Sequence, residues 1–341
     1  MTWEEILDAL SPGQSHMSSV PYDTAWVARL DDSQLTESAI GWLRDHQLPD
    51  GSWGATWPIW HPDRFASTLA AIVALAQAGD AASDEVQRGY KALEDYARRI
   101  GSSEFTRWPI GFEMIVPTLV EQVQSLLDLE YVPALDSTWM STMDYARSRK
   151  LQALKAVGGA INREVTLAFS AEMAGDDHHL LDLENLQSAN GSVDYSPSAT
   201  AYFAAITGDA DAIHYLERIV DSDGGTPGVA PSDVFEIGWV LWNLSLLDDI
   251  DEAILDQCDP LLDWMESLWQ PTGVPQADGY TPADSDDTAL TYTVLSRLGR
   301  SVDIEPLLQF EETTHFRCFS LEADTSISAN IHVLVAFITG G

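Results

Sequence analysis

Three carboxylates fall within four residues at Asp284-Ser285-Asp286-Asp287, after a Trp269-Gln270-Pro271 turn and before the apolar run Thr288 to Leu295. Like charges a few ångströms apart and partly desolvated push at least one carboxyl pKa up, because each further ionisation works against the last. A carboxylic acid that stays protonated near neutrality is a Brønsted acid for a substrate. The same residues have a plainer use, since an Asp at a helix start caps it and stabilises it by about 1 kcal/mol. With 54 Asp and Glu among 341 residues the pattern is weak alone, so its surroundings must carry the case.

Those surroundings are helical. Apolar residues recur at three- and four-residue spacing in Ile40 to Leu43, Phe65 to Ala78, Met114 to Leu127 and Val234 to Leu247, while strand-like alternation is scarce. Turn chemistry is concentrated in three similar loops. These are Gln47-Leu48-Pro49-Asp50-Gly51-Ser52-Trp53-Gly54, Gln187-Ser188-Ala189-Asn190-Gly191-Ser192, and the Trp269 loop with Asp278-Gly279-Tyr280. Each combines an Asx-Gly turn with a Ser, Thr or Asp near the start of a helix rich in small residues. Helical hairpins of this kind cannot bury their faces singly and must stack. The expected fold is all-α, an α/α toroid.

Composition excludes several partners. A net charge of −37, with Lys only at Lys91, Lys150 and Lys155, repels nucleic acid and anionic membranes. It reads as adaptation to concentrated salt, which screens such self-repulsion. Cys258 and Cys318 have no metal-ligand spacing. The N-terminus lacks a signal-peptide pattern and no apolar run is long enough to span a bilayer, so the expectation is a soluble, cytoplasmic, halophilic protein that is not integral to a membrane.

Five segments in order resemble the class II diterpene cyclases. They are Pro21-Tyr22-Asp23-Thr24-Ala25-Trp26-Val27-Ala28, the Gln47 to Gly54 loop (similar to the Gln-Trp motif), Pro109-Ile110-Gly111-Phe112-Glu113 with Pro117-Thr118-Leu119, Asn190-Gly191-Ser192 with Ser196-Pro197-Ser198-Ala199-Thr200-Ala201, and Asp284 to Asp287. The nearest likeness is the prokaryotic branch of halimadienyl and copalyl diphosphate synthases. The resemblance implies a double helical barrel of the βγ type. Residues 1–28 and 231–341 would belong to the β domain, the latter carrying the acidic motif, and 29–230 would form an inserted γ domain. Family members continue well beyond the position of Gly341. The expectation is therefore a C-terminally truncated chain with an incomplete second barrel, completed by a missing C-terminal half or a second chain.

The implied reaction is cyclisation of geranylgeranyl diphosphate, begun by protonating its terminal alkene, with the diphosphate retained. Asp286 would be the donor, with Asp284 and Asp287 tuning it. Asn330 stands where the family places a hydrogen-bonding partner for that Asp, with Ser326 one turn earlier. Fixing one carboxyl oxygen would leave the other to present the proton. Lys150 and Lys155, in and beyond the basic run Arg147-Ser148-Arg149-Lys150, would meet the diphosphate or form an ordinary helix face. Glu104 lies near the family's acidic stretch associated with Mg²⁺ and is the expected metal ligand. Trp239, Trp242 and Tyr292 are candidates for an aromatic lining that shelters carbocations, and His332 for the terminating base. Asp63-Arg64 is expected to form a structural ion pair. Asp248 to Glu252 formally fits the metal-binding pattern of ionising synthases, but reads as a solvated loop. Two alternatives stay open: a fragment of a squalene–hopene type cyclase, and a non-catalytic or split toroid subunit that needs a partner chain.

Overall fold

The computed structural model describes residues 2–102, 108–109, 111–128, 137–156, 159–280, 282–319, 322 and 325–340. In chain order the helices are α1 (Trp3–Ala9), α2 (Pro21–Val27), α3 (Ser33–Asp45), α4 (His61–Leu75), α5 (Asp84–Ser102), α6 (Phe112–Leu126) and α7 (Ser137–Ala156). They continue with α8 (Pro197–Thr207), α9 (Ala210–Ile219), α10 (Asp233–Leu244), α11 (Glu252–Ser267), α12 (Ser285–Arg297) and α13 (Ile327–Gly340). Among the described residues the only β pairing is in isolated bridges, so the all-α expectation holds.

The chain divides into two compact units. One comprises residues 17–163 and 167–229, the other 1–16, 164–166 and 230–341. The division expected near residue 28 falls at 16/17 instead. The reason lies in α2, which packs on α3, α4 and α8 and buries Asp23, Thr24, Ala25, Trp26 and Val27 among them.

One hydrogen-bonding device recurs in four loops. In each, a loop N–H donates to the hydroxyl of a Thr on a neighbouring helix: Trp53 to Thr68 (3.0 Å), Val193 to Thr200 (2.8 Å), Thr226 to Thr24 (2.9 Å) and Val274 to Thr288 (2.9 Å). Every one of those Thr hydroxyls also donates back to the carbonyl four residues earlier. A short polar side chain thus satisfies the loop backbone inside an apolar layer, where an unmade bond would cost about 1–3 kcal/mol.

Three of the four loops lie in the first unit. Asp50 Oδ1 accepts from the N–H and hydroxyl of Ser52 (3.0 and 2.7 Å), and Asn190 Oδ1 does the same for Ser192 (3.0 and 2.6 Å). Gln47 and Gln187 each donate to the carbonyl of the loop Gly, at 2.9 and 3.0 Å. The third member, residues 221–226, has no counterpart among the expected loops, and it explains how the ring closes. Its Thr226 reaches back to Thr24 of α2, and a Cβ on Gly224 would stand 2.3 Å from the Ser38 carbonyl of α3. In the first loop Gly51 lies the same way against Arg88 of α5, where a Cβ would come within 2.6 Å of a carbonyl. Both glycines have φ near +90°, which a side chain would strain. The last loop of this unit therefore docks on its first hairpin. Helix packing runs α2·α4, α4·α6 and α2·α8, with α3, α5, α7 and α9 paired on α2, α4, α6 and α8.

A buried polar cluster ties α2 into this ring. Asp23 Oδ1 accepts from the N–H of Ser198 in the first turn of α8 (3.0 Å), and the Tyr22 hydroxyl donates to Glu172 (2.9 Å). The Arg29 guanidinium lies 3.7 Å over the Trp26 ring. Burial pushes the Asp23 carboxyl from 3.8 up to about 8 and the Glu172 carboxyl up to about 7. A raised carboxyl favours folding while it stays neutral. Its contribution is full below the unfolded value of 3.8 and is lost as pH rises through about 8. Asp23→Asn keeps the Oδ1 acceptor without the charge. It is expected to leave thermal stability nearly unchanged near the unfolded value and to raise it at about pH 8 and above, by a few kcal/mol as an order of magnitude. Thermal unfolding across that range checks it, and an equal effect at both ends would refute it.

In the second unit, α12 packs on α10, α11 and α13, and α1 on α11. Leu7, Leu241, Leu244, Cys258, Met265, Val294 and Leu295 form one apolar cluster, and Ala289, Tyr292, Leu307, Val333 and Ala336 a second, between α12 and α13.

Candidate active site

The acidic motif opens α12, and the helix start explains its geometry. Asp284 is the N-cap, in extended conformation, and its side chain accepts from the N–H of Asp287 (2.8 Å). Asp284 and Asp287 are 9% and 5% exposed, so two of the three carboxyls are sealed into the protein. Burial, opposed by the Asp287 N–H, pushes Asp284 up to about 7. Burial, with the charges of Asp284 and Asp286 behind it, raises Asp287 well above the usual carboxylate range. Asp287 Oδ1 has no hydrogen-bond partner. An ionised oxygen in that position would be costly, so Asp287 is held in its acid form. Capping and acid storage thus coexist in one turn.

Asp286 differs from its neighbours. Its side chain keeps 22% exposure, and its Oδ1 lies 2.6 Å from Nδ1 of His332 on α13. His332 is itself walled by aromatic rings. The Trp239 and Trp242 centroids are 5.1 and 5.8 Å from the imidazole and 5.3 Å from each other, and Phe235 continues the row at 6.0 Å from Trp239. The indole N–H of Trp239 is buried without a partner. One carboxyl oxygen of Asp286 is therefore engaged by His332, whose imidazole in turn lies against the rings of Trp239 and Trp242.

Several expected residues lie elsewhere. Asn330 does not hold Asp286. Its Oδ1 accepts from the Phe316 N–H, and its amide donates to the carbonyls of Phe316 and Ser326, each at 2.8 Å. Asn330 braces the 316 segment against α13, and His332, expected as a base for the final step, takes the place beside Asp286. Lys150 is not a free cation: its Nζ lies 2.6 Å from Glu113, itself only 6% exposed. Lys155 is exposed. Arg64 pairs with Asp50 (3.6 Å) rather than Asp63, whose carboxylate accepts from the Ala55 N–H. Asp248, Asp249, Asp251 and Glu252 are exposed, and Asp251 caps α11. Tyr292 packs with Trp269 at 6.1 Å.

Glu104, the expected magnesium ligand, lies outside the described residues. Among the described residues no group of three or more His, Cys, Asp or Glu side chains could hold a metal ion. No helix among them is long and apolar enough to cross a membrane.

No family model matches the chain. It is 41% identical to a type B diterpene cyclase of Mycobacterium tuberculosis, over 95% of this chain and 67% of that protein. It is 32% identical to the ent-copalyl diphosphate synthase AN1 of Zea mays, over 92% of this chain and 38% of that protein. The ent-copalyl diphosphate synthase of Arabidopsis thaliana has been solved in complex with (S)-15-aza-14,15-dihydrogeranylgeranyl thiolodiphosphate. It matches with a TM-score of 0.81 and 29% identity, over 97% of this chain and 47% of that one. The chain thus spans between about two-fifths and two-thirds of the length of these relatives.

Proposed function

We propose a reaction for this chain from the premise that it belongs to the class II diterpene cyclase family: it cyclises geranylgeranyl diphosphate to a bicyclic diterpenyl diphosphate of halimadienyl or copalyl type. The observation that carries this reading is Asp286, the one carboxyl of the acidic triad left accessible, with one oxygen held by His332 and aromatic rings alongside.

The chemistry follows from the neutral microstate. The His332 Nδ1–H donates to Asp286 Oδ1, which leaves the proton on Oδ2. That proton passes to the less substituted carbon of the terminal alkene, and a tertiary cation forms at its neighbour. Internal double bonds attack in turn and close two rings. Loss of a proton from carbon ends the sequence, and the carbon–oxygen bond to diphosphate stays intact. An alkene is a weak base, so the donor must act where water does not compete. The Trp239 and Trp242 faces exclude water and stabilise the cation as it moves. The sealed pair Asp284 and Asp287 keeps a proton beside Asp286 near neutrality, so fewer negative charges crowd the donor.

The acidic surface supports work in concentrated salt, and a cytoplasmic location is part of the same reading. Mg²⁺ is assigned no role among the described residues. The test is incubation of the chain with geranylgeranyl diphosphate in high salt, followed by enzymatic dephosphorylation and gas chromatography–mass spectrometry. A bicyclic diterpene alcohol is expected. Recovery of geranylgeraniol alone would reject the reading.

A further inference from the structure

We propose that the loop Ala55 to Trp60 is an interfacial anchor that seats the protein on a bilayer of neutral lipid. The loop follows Trp53, whose fully buried indole donates to the Leu43 carbonyl at 2.7 Å. The next aromatic residues do the opposite. Trp57 is 85% exposed, Ile59 56% and Trp60 40%, and every residue from 55 to 60 faces outward. Core formation therefore does not account for these side chains.

The backbone that presents them is braced. Arg64 Nε donates to the Ala55 carbonyl (2.7 Å), the Ala55 N–H donates to Asp63 (3.2 Å), and the Arg64 N–H donates to the Trp60 carbonyl (3.0 Å). A Cβ on Gly54 would stand 2.7 Å from Arg64 Cδ. Both ends of the segment are thus pinned to the first turn of α4, and the apolar tip is preformed.

Chemistry selects a lipid surface over other occupants. Residues 51–60 contain no Asp, Glu, Lys or Arg, in a chain that is 21% charged. Indole is apolar in its body and polar at its N–H, which suits it to the boundary between headgroups and acyl chains. The segment is exposed along its whole length, which leaves it open to insertion. The net charge of −37 forbids an anionic surface and leaves neutral headgroups. On the reading above, the substrate is a twenty-carbon prenyl chain that partitions into bilayers. An anchor would hold the protein where that substrate is concentrated.

The test uses the whole chain and phosphatidylcholine vesicles in concentrated potassium chloride, read by flotation and by tryptophan emission. Wild type is expected to float with the vesicles and shift its emission to the blue. W57S/I59S is expected to lose about tenfold or more of the bound fraction, with unchanged circular dichroism and unchanged turnover of detergent-dispersed substrate. I331S/L334S, on the exposed apolar stripe of α13, is expected to bind as wild type does. The proposal is overturned if wild type does not float, if W57S/I59S floats equally, or if I331S/L334S alone abolishes binding. Self-association lost in W57S/I59S without vesicle binding would assign the loop to a second copy and equally overturn it. Vesicle binding needs no turnover, so failure of the anchor and failure of the proposed reaction are separate results.

Discussion

Asp286→Asn is expected to reduce cyclisation of geranylgeranyl diphosphate by at least about a thousandfold while the fold persists. A positioned general acid contributes on the order of 10²–10⁴, and on the proposed reading it starts the reaction, with no second accessible carboxyl in the triad. Asp284 and Asp287 are sealed and already hold structural roles at the head of α12. The amide keeps the size of the carboxyl and can still accept from His332, so the rings of Trp239 and Trp242 retain their support. Circular dichroism and thermal unfolding should match wild type within about 1 kcal/mol, as for a partly exposed polar substitution that keeps size and hydrogen bonding. Substantial turnover in this variant would remove Asp286 as the donor. Loss of both fold and turnover in Asp286→Asn, with turnover retained in Asp286→Glu, would leave the carboxyl essential.

His332→Ala is expected to lower kcat about 10- to 100-fold with a much smaller change in KM. That range corresponds to one hydrogen bond to a charged or strongly polar group, about 1.5–3 kcal/mol. On the proposed reading His332 acts through Asp286, as a positioning residue. Its loss frees the carboxyl to rotate and removes the imidazole between Trp239 and Trp242. Two readouts separate this from simple loosening of α13. His332→Asn, which restores a donor at nearly the same reach, should recover part of kcat. The pH profile of kcat should also change shape, because the imidazole beside the donor is gone. Asn330→Ala should instead lower thermal stability, since it frees the Phe316 backbone groups, and should leave the kcat profile close to wild type. The opposite pattern, with Asn330 controlling kcat and His332 controlling stability, would contradict the geometry.

The contrast between residues 330 and 332 shows where sequence reading stops. Both lie on α13, two residues apart, and successive helical positions turn by about 100°. Only the phase of the helix decides which side chain meets Asp286, and phase is set by packing of Val333 and Ala336 on α12, which spacing alone does not reveal. The cap at Asp284 was legible because it is local: an Asp, three residues and an apolar run suffice. The Gln47 and Gln187 loops were legible for the same reason, through Asx-Gly turn chemistry. The loop 221–226 escaped although it carries an Asx-Gly pair, Asp223-Gly224, because it lacks the Gln that opens the other two and its partner Thr24 is 202 residues away. That long-range bond also places 17–28 with the 17–229 unit. Lys150 could be read as a phosphate ligand only while its partner was unknown, and Glu113 was recognisable as part of a motif but not as a counter-ion. The sealed state of Asp23 and Glu172 was hidden for the same reason: burial comes from several helices at once.

The claim that a carboxyl proton starts the reaction is tested most directly in deuterium oxide. The proton on Asp286 exchanges with solvent between turnovers, so a protonation-initiated cyclisation should deliver one deuterium to a carbon of the former terminal alkene. Mass spectrometry and deuterium NMR of the dephosphorylated product should show that single label in the ring system, with no inorganic diphosphate released. A cyclised product without ring deuterium, or with stoichiometric diphosphate release, would contradict the account.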